Sequence, residues 1–281
     1  MSLSPDLQQL VFLGVAVLAG SVGAMVGVGG GVILVPVLTL LGVDVRLAAG
    51  ASLVSVIATS SGAASAYVRE RLTNLRVAIF LEMFTTAGAL VGAFLQGRVP
   101  AAGLELLLGG ALLLSGVGIF LRHRKAGPPV QASSSPTAQR LSMPGSYHDA
   151  ATGELVQYSV RRLPLGSALM FVAGSASGLL GIGSGALKVP AMDLALGMPM
   201  KASSATSDFM IGVTACASVG AYAARGQLVP GLIMPVVLGT AVGSFVGTRL
   251  LSRLRSESIR IAFLVVLAAM AIEMIVKGLH G

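Results

Sequence analysis

GVGGGVILVP, residues Gly27 to Pro36, aligns without gaps on GIGSGALKVP, residues Gly181 to Pro190. Three glycines, the valine and the proline coincide, and one extra residue in the second copy carries the register onward. Gly42 then meets Gly197, Arg46 meets Lys201, Ser52 meets Ser207, Tyr67 meets Tyr222 and Gly92 meets Gly247. A register that persists this far indicates an internal duplication. Each motif joins a long apolar segment to one of only about ten residues, roughly 15 Å of helix at 1.5 Å per residue, which is half of a bilayer core. Glycine permits a tight turn of positive φ and close backbone approach, and the proline removes a donor inside the short segment. Both motifs therefore read as a break followed by a half-helix.

Working outward, the 281 residues are 54% hydrophobic and 11% charged, with a mean hydropathy of +0.88. Soluble domains are nearer a quarter charged. No charge occurs between Asp6 and Asp44, between Arg46 and Arg69, or between Arg225 and Arg249, gaps long enough for helices of about 20 residues to cross a membrane. The apolar segments are Leu7–Met25, Val32–Leu41, Leu47–Val68, Arg76–Gln96 and Ala101–Leu121, then Leu163–Leu179, Ala186–Leu196, Ala202–Ala223, Leu228–Leu251 and Ile259–Val276. The second of each five is short. Asp6 precedes the first run without a basic flank or a small-residue cleavage site, so no removable signal peptide is expected. Between the sets lies a polar linker with SSSPT low complexity and a hairpin-like YHDAATGELVQYSV, in which Thr152 and Gly153 separate short alternating runs.

The fold class expected is an all-α polytopic membrane protein of two inverted-topology repeats, residues 1–121 and 163–281, around a linker at 122–162. The inversion follows from charge. Lysine and arginine mark cytoplasmic loops, and they gather at Arg69, Arg71 and Arg76, at Arg122, Arg124, Lys125, Arg161 and Arg162, and at Arg249, Arg253, Arg255 and Arg260. Threading the segments under that rule places both termini outside and the linker in the cytoplasm, with Arg46, Arg98 and Arg225 as outer charges. An odd number of spans per half inverts the second half, the duplicated plan of many secondary transporters. The same scatter of basic residues accounts for the net charge of +8 and argues against a nucleic-acid surface, which clusters its charge.

Non-helical backbone at membrane depth persists where protein buries it or where it lines a cavity. Each half-helix start offers unpaired N–H groups and a positive dipole end, a setting for anions. The alternative is that the glycines only allow close helix packing. Lys188 lies in the second motif where the first has Leu34. A lysine at the centre of a span costs about 2.5–3.5 kcal/mol, so a partner is expected, with Asp193 and Asp208 the candidates. Intramembrane charges are functional hypotheses, against which stands a lysine snorkelling to the interface. The expectation is that Lys188 adds positive potential to an anion site, and that Asp208 pairs with it or exchanges a proton. Hydroxyl clusters follow both short segments: Ser52, Ser55, Thr59, Ser60 and Ser61, and Ser203, Ser204, Thr206 and Ser207. Any one of them is as well explained by bonding its own helix, but Ser52 and Ser207 match across the repeat and are the better candidates. Glu105 and Glu273 read as snorkelling or arginine-paired, and Glu82 alone as deep enough for proton coupling.

Gly-x-Gly-Gly-Gly running through an apolar stretch to Val-Pro, a Leu-Gly turn, Ala/Ser-rich helix starts and a diverged second copy resemble the TauE/SafE membrane transporters over nearly the whole chain outside the linker. The resemblance implies transport of sulfite, sulfoacetate or other organosulfur anions. Gly29, Gly30 and Gly31, with Gly183, Ser184 and Gly185, match the family motif; Ser184 and Lys188 depart from it, which leaves the preferred substrate open. The function expected is a secondary transporter of a small sulfur-containing anion working by alternating access, in the inner membrane. A passive anion channel is the alternative. A membrane enzyme or assembly factor needs a nucleophile–base or metal constellation, and His123, His148 and His280 all lie outside the apolar runs, while Cys216 is the one cysteine. No cofactor, metal or catalytic residue is expected. No Gly-Lys-Ser/Thr follows the glycines, so a gradient is the expected drive. The expected partners are the anion, a coupling proton or sodium ion and the lipid bilayer, with a homodimer as one assembly the sequence allows.

Overall fold

The computed structural model describes residues 5–125, 135–149, 153–251 and 256–280. Thr152 of the expected hairpin turn, and Arg253 and Arg255 of the last basic loop, lie outside them. The helices run α1 (Pro5–Val26), α2 (Gly31–Leu40), α3 (Val45–Arg69), α4 (Leu75–Gln96), α5 (Ala101–Lys125), α6 (Pro136–Arg140), α7 (Leu163–Leu180), α8 (Gly185–Ala191), α9 (Met200–Ala224), α10 (Pro230–Leu251) and α11 (Ser256–His280). The strands β1 (Gly145–Asp149) and β2 (Glu154–Tyr158) pair between α6 and α7. A π-helical turn, Met192–Leu196, continues α8 without interruption.

Five helical stretches among the described residues are long and apolar enough to cross a membrane: Leu7–Met25, Val45–Arg69, Leu75–Gln96, Leu163–Leu180 and Pro230–Leu250. Side chains such as Leu18, Met83, Leu114, Met234 and Leu279 are exposed, as they are when lipid rather than water surrounds a bundle. The chain is a multi-pass membrane protein. α9 does not qualify on apolarity, because it carries Lys201, Ser203, Ser204, Thr206, Ser207, Asp208, Thr214 and Ser218 on its buried side.

α1 packs on α10, α7 on α4, α5 on α11, and α3 on α9. Small residues allow these approaches. A Cβ added at Gly92 of α4 would stand 1.9 Å from the Ser175 carbonyl oxygen of α7, and one added at Gly247 of α10 would stand 2.2 Å from that of Ser21 in α1. Gly92 and Gly247 match in the sequence register, and so do their partners Ser175 and Ser21. The close-packing explanation thus holds for these helices, and the motif glycines pack as closely while also breaking the helix.

The ends of α3 and α9 repeat each other as well. Leu72 N–H donates to the Tyr67 carbonyl and Gln227 N–H to that of Tyr222, with Arg71 at φ 56° and Gly226 at φ 68° in the left-handed position that closes such a cap. Each tyrosine then reaches across to the helix before the break in its half. Tyr67 donates to the Ala24 carbonyl at 2.8 Å and Tyr222 to that of Gly178 at 3.0 Å.

The linker is folded over its described part. Asn74, which caps α4 by accepting from Val77 N–H, turns its amide outward to donate to the Met143 carbonyl at 2.8 Å and to the Tyr158 hydroxyl at 3.1 Å. Arg76 donates to the Ser142 carbonyl at 2.7 Å, and Ala138, Met143, Tyr147 and Val160 are buried beneath the hairpin. Burial pushes the Tyr158 phenol above its usual range, and the bond from Asn74 pulls the other way. The hairpin therefore clasps the α3–α4 turn instead of hanging free.

Replacing Gly92 or Gly247 with alanine forces a backbone to move and is expected to lower stability by about 1–3 kcal/mol. Gly14→Ala and Gly110→Ala meet nothing within 4 Å and are expected to leave it unchanged. Thermal unfolding in detergent, followed by tyrosine fluorescence or monodispersity, checks this; equal melting temperatures for all four variants contradict the packing described.

Candidate functional site

The two motifs break their helices as expected. After α1, Gly27, Gly29 and Gly30 take φ values of 80°, 72° and 76°, and α2 starts at Gly31. After α7, Gly181 and Gly183 take 73° and 76°, and Ser184 takes 60°; α8 starts at Gly185. A left-handed serine costs energy that glycine avoids. Ser184 donates its hydroxyl to the Gly183 carbonyl at 2.7 Å, a local bond that helps hold the strained residue in place. The Gly30 carbonyl accepts from the Ile33 and Leu34 N–H groups and the Ser184 carbonyl from those of Leu187 and Lys188, so only the N–H groups at the very start of α2 and α8, before Ile33 and Leu187, are left without a partner in their own helix.

The breaks meet each other. A Cβ at Gly31 would stand 2.9 Å from the Ile182 carbonyl oxygen, and one at Gly185 would stand 2.5 Å from the Gly27 carbonyl oxygen. Gly29 and Gly183 both abut Val56 of α3 and Ile211 of α9, and Gly27 and Gly181 abut Ser204 and Ala49. Val56 and Ile211, like Ala49 and Ser204, are matched positions in the sequence register. Two turns from opposite ends of the chain are thus wedged at one point between two long helices.

Ser207 donates to the Gly27 carbonyl at 2.7 Å. Its counterpart Ser52 is fully buried, its hydroxyl would be 2.6 Å from a Cβ at Gly31, and it has no hydrogen-bond partner among the described residues. Other hydroxyls follow the plainer reading: Ser55, Thr59 and Ser61 donate to carbonyls of their own helix. Ser60 crosses to α9, donating to the Asp208 carbonyl and accepting from Gly212 N–H.

Lys188 is fully buried, and its partner corrects the expectation. The ammonium sits 3.3 Å from Glu82 of α4, not on an aspartate, and 2.5 Å from the Thr214 hydroxyl of α9. Glu82 accepts further from Thr85 at 2.8 Å, Thr86 at 3.1 Å and Thr214 at 2.6 Å. Sequence order hid this pairing, since the partner lies on α4 in the other half and both threonines below it belong to one helical turn. Thr214 is one turn along α9 from Ile211, which places the pair beside the meeting point. Glu82 thus takes hydrogen bonds from three threonines besides the ammonium, the further bonding that a buried ion pair needs. The ion pair breaks the repeat, with Leu34 and Val237 at the matched positions, whereas Thr214 is matched by Thr59. Glu105, read as snorkelling or arginine-paired, lies 3.7 Å from Lys277.

Asp208 stays apart. Its carboxylate is fully buried, and neither oxygen has a hydrogen-bond partner among the described residues.

Comparison with known proteins agrees with this architecture. A family model described as "Sulfite exporter TauE/SafE" matches residues 12–274. YunE of Bacillus subtilis (strain 168), a probable membrane transporter protein, is 27% identical over 280 residues, covering 97% of this chain and 98% of its own. A second probable membrane transporter of that organism, YdhB, is 27% identical over 83% of this chain and 86% of its own. One from Xylella fastidiosa (strain 9a5c) is 27% identical over 87% of this chain and 85% of its own. No solved structure gives a significant match. The chain belongs to the sulfite exporter TauE/SafE family, whose members are membrane transporters and not enzymes.

Proposed function

We propose that this protein is a secondary transporter of a small sulfur-containing anion, sulfite, sulfoacetate or a related organosulfonate, working by alternating access between two inverted halves. The halves are residues 1–121 and 163–281, joined by a cytoplasmic linker at 122–162, with both termini outside the inner membrane. One observation carries the reading: both helix starts abut between Val56 and Ile211, beside a fully buried Lys188. Two positive dipole ends at one point attract an anion that neither attracts as well alone.

The arrangement is a closed one. With Gly31 against Ile182 and Gly185 against Gly27, an anion enters only when the two breaks part. Parting exposes the N–H groups at the starts of α2 and α8, at Gly31 and Gly185, beside the Gly29–Gly30 and Gly183–Ser184 backbone and the Ser52 and Ser207 hydroxyls. The ammonium of Lys188 is held by Glu82 while the site is empty, and the anion competes with Glu82 for it. Register-matched contacts on the two sides support inverted halves that exchange roles as the site opens to either face. A passive channel needs the breaks held apart at rest, which makes the carrier the better reading.

Labelled sulfite, sulfoacetate, taurine and sulfate, presented to proteoliposomes under imposed proton or sodium gradients, test the proposal. Saturable uptake of one sulfur anion is expected, and unsaturable conductance contradicts it. Lys188→Ala is expected to raise KM about 10–100-fold, the worth of a charge-assisted hydrogen bond of roughly 1.5–3 kcal/mol. It also strands Glu82, which destabilises by about 3–5 kcal/mol. The double variant Lys188→Met with Glu82→Gln is expected to recover the melting temperature without recovering uptake. Recovery of both contradicts a role for Lys188 in binding.

A further inference from the structure

Asp208 is the buried titratable group that the anion site does not use. Its side chain is fully buried, and both oxygens lack a hydrogen-bond partner among the described residues. The hydroxyls around it are committed elsewhere. Ser207 donates to the Gly27 carbonyl, Tyr67 donates to the Ala24 carbonyl, and Ser60 donates to the Asp208 backbone carbonyl, not to its carboxylate. An ionised carboxylate without donors or a cation is not sustained in an apolar interior, where it takes up a proton instead.

Packing does not require an acid here. The matched position in the first half is Leu53, equally buried, so the scaffold accepts an apolar side chain at this place. Leaving a buried polar group unpaired costs roughly 1–3 kcal/mol, and groups retained at such a cost call for a function. The position is also mechanically placed. Asp208 follows Ser207, which holds the carbonyl of the first break, and its own carbonyl is tied to α3 through Ser60. Water reaches the carboxyl only if α9 moves from α3 and α1, the same movement that releases the Gly27 carbonyl.

We infer that Asp208 is the proton-binding site of the transport cycle, closed onto its proton in this conformation and able to release it to water only when the breaks part. The inference rests on the transporter reading and names its coupling ion. The groups around Asp208 leave it as the titrating one. Tyr67, the buried ionisable side chain of α3, is within electrostatic reach of it and gives its hydroxyl to the Ala24 carbonyl of α1. Glu82 of α4 and Lys188 of α8 are engaged with one another at Thr214, about 9 Å of helix rise along α9. Lys201 lies about 10 Å of rise the other way. The sign follows from the geometry: closure requires the proton, so the closed form is favoured at low pH and lost as pH rises.

Proteoliposomes loaded with labelled sulfite, corrected with protein-free vesicles for diffusion of sulfur dioxide, separate the two claims. Wild type is expected to exchange sulfite without a gradient and to accumulate it under an imposed pH difference. Asp208→Asn keeps shape and neutrality, and is expected to exchange sulfite while its response to the pH difference disappears. If wild type neither exchanges nor accumulates any sulfur anion, the transporter reading falls. If wild type responds to the pH gradient and the asparagine variant responds equally, or if sodium replaces the proton, the Asp208 inference falls. A second measurement does not depend on the variant folding. Aspartate-selective carbon-13 labelling is expected to reveal a protonated aspartyl C=O stretch in the infrared spectrum at neutral pH, and its absence overturns the inference.

Discussion

Backbone N–H groups at the start of a helix need a partner, and inside a membrane water is not there to supply one. That constraint organises this molecule. Gly27 to Gly31 and Gly181 to Gly185 create two such starts within the bundle, and the structure buries both, wedged against each other between α3 and α9. The long helices serve this arrangement. α3 is the most buried of the apolar spans, and α9 turns a set of hydroxyls inward, of which Ser207 reaches the first break. α1 with α10, and α7 with α4, make a tightly packed shell in which glycine lets backbones approach closely.

A second level is laid over this repeated frame and does not repeat. Tyr67 and Tyr222, the glycine turns and the Val56–Ile211 wedge obey the register, but the ionisable groups do not. Lys188, Glu82 and Asp208 face Leu34, Val237 and Leu53 at matched positions, so charge has been added to one side of a nearly symmetric scaffold. In the cycle we propose, the repeated frame provides two exchangeable conformations, and the unmatched charges bind the anion and carry the proton.

Much of this was legible in the sequence because it depends on local spacing. The paired motifs gave the breaks, the short segments gave α2 and α8, and Thr152 and Gly153 between alternating runs pointed to the strands at Gly145–Asp149 and Glu154–Tyr158. Tyr67 and Tyr222 were visible as a matched pair, though not as bonds to Ala24 and Gly178. What sequence could not supply was partnership across the halves. Chain proximity points Lys188 to Asp193 and Asp208, while its partner, Glu82, sits on α4, which glycine packing holds against α7. The polar character of α9 was also understated, since an apolar average does not tell which face is turned inward. Asn74 as the clasp for the linker had no sequence signal beyond its place before a helix.

The central claim is that the two breaks part to admit an anion and close on it. Selenite, the selenium analogue of sulfite, allows its direct location by anomalous scattering from crystals of the full chain. The account predicts a selenium peak between Gly31 and Gly185, within hydrogen-bonding distance of the Ser52 hydroxyl, with the Gly31–Ile182 contact opened. A peak elsewhere in the bundle, with the two glycine turns still in contact, contradicts it.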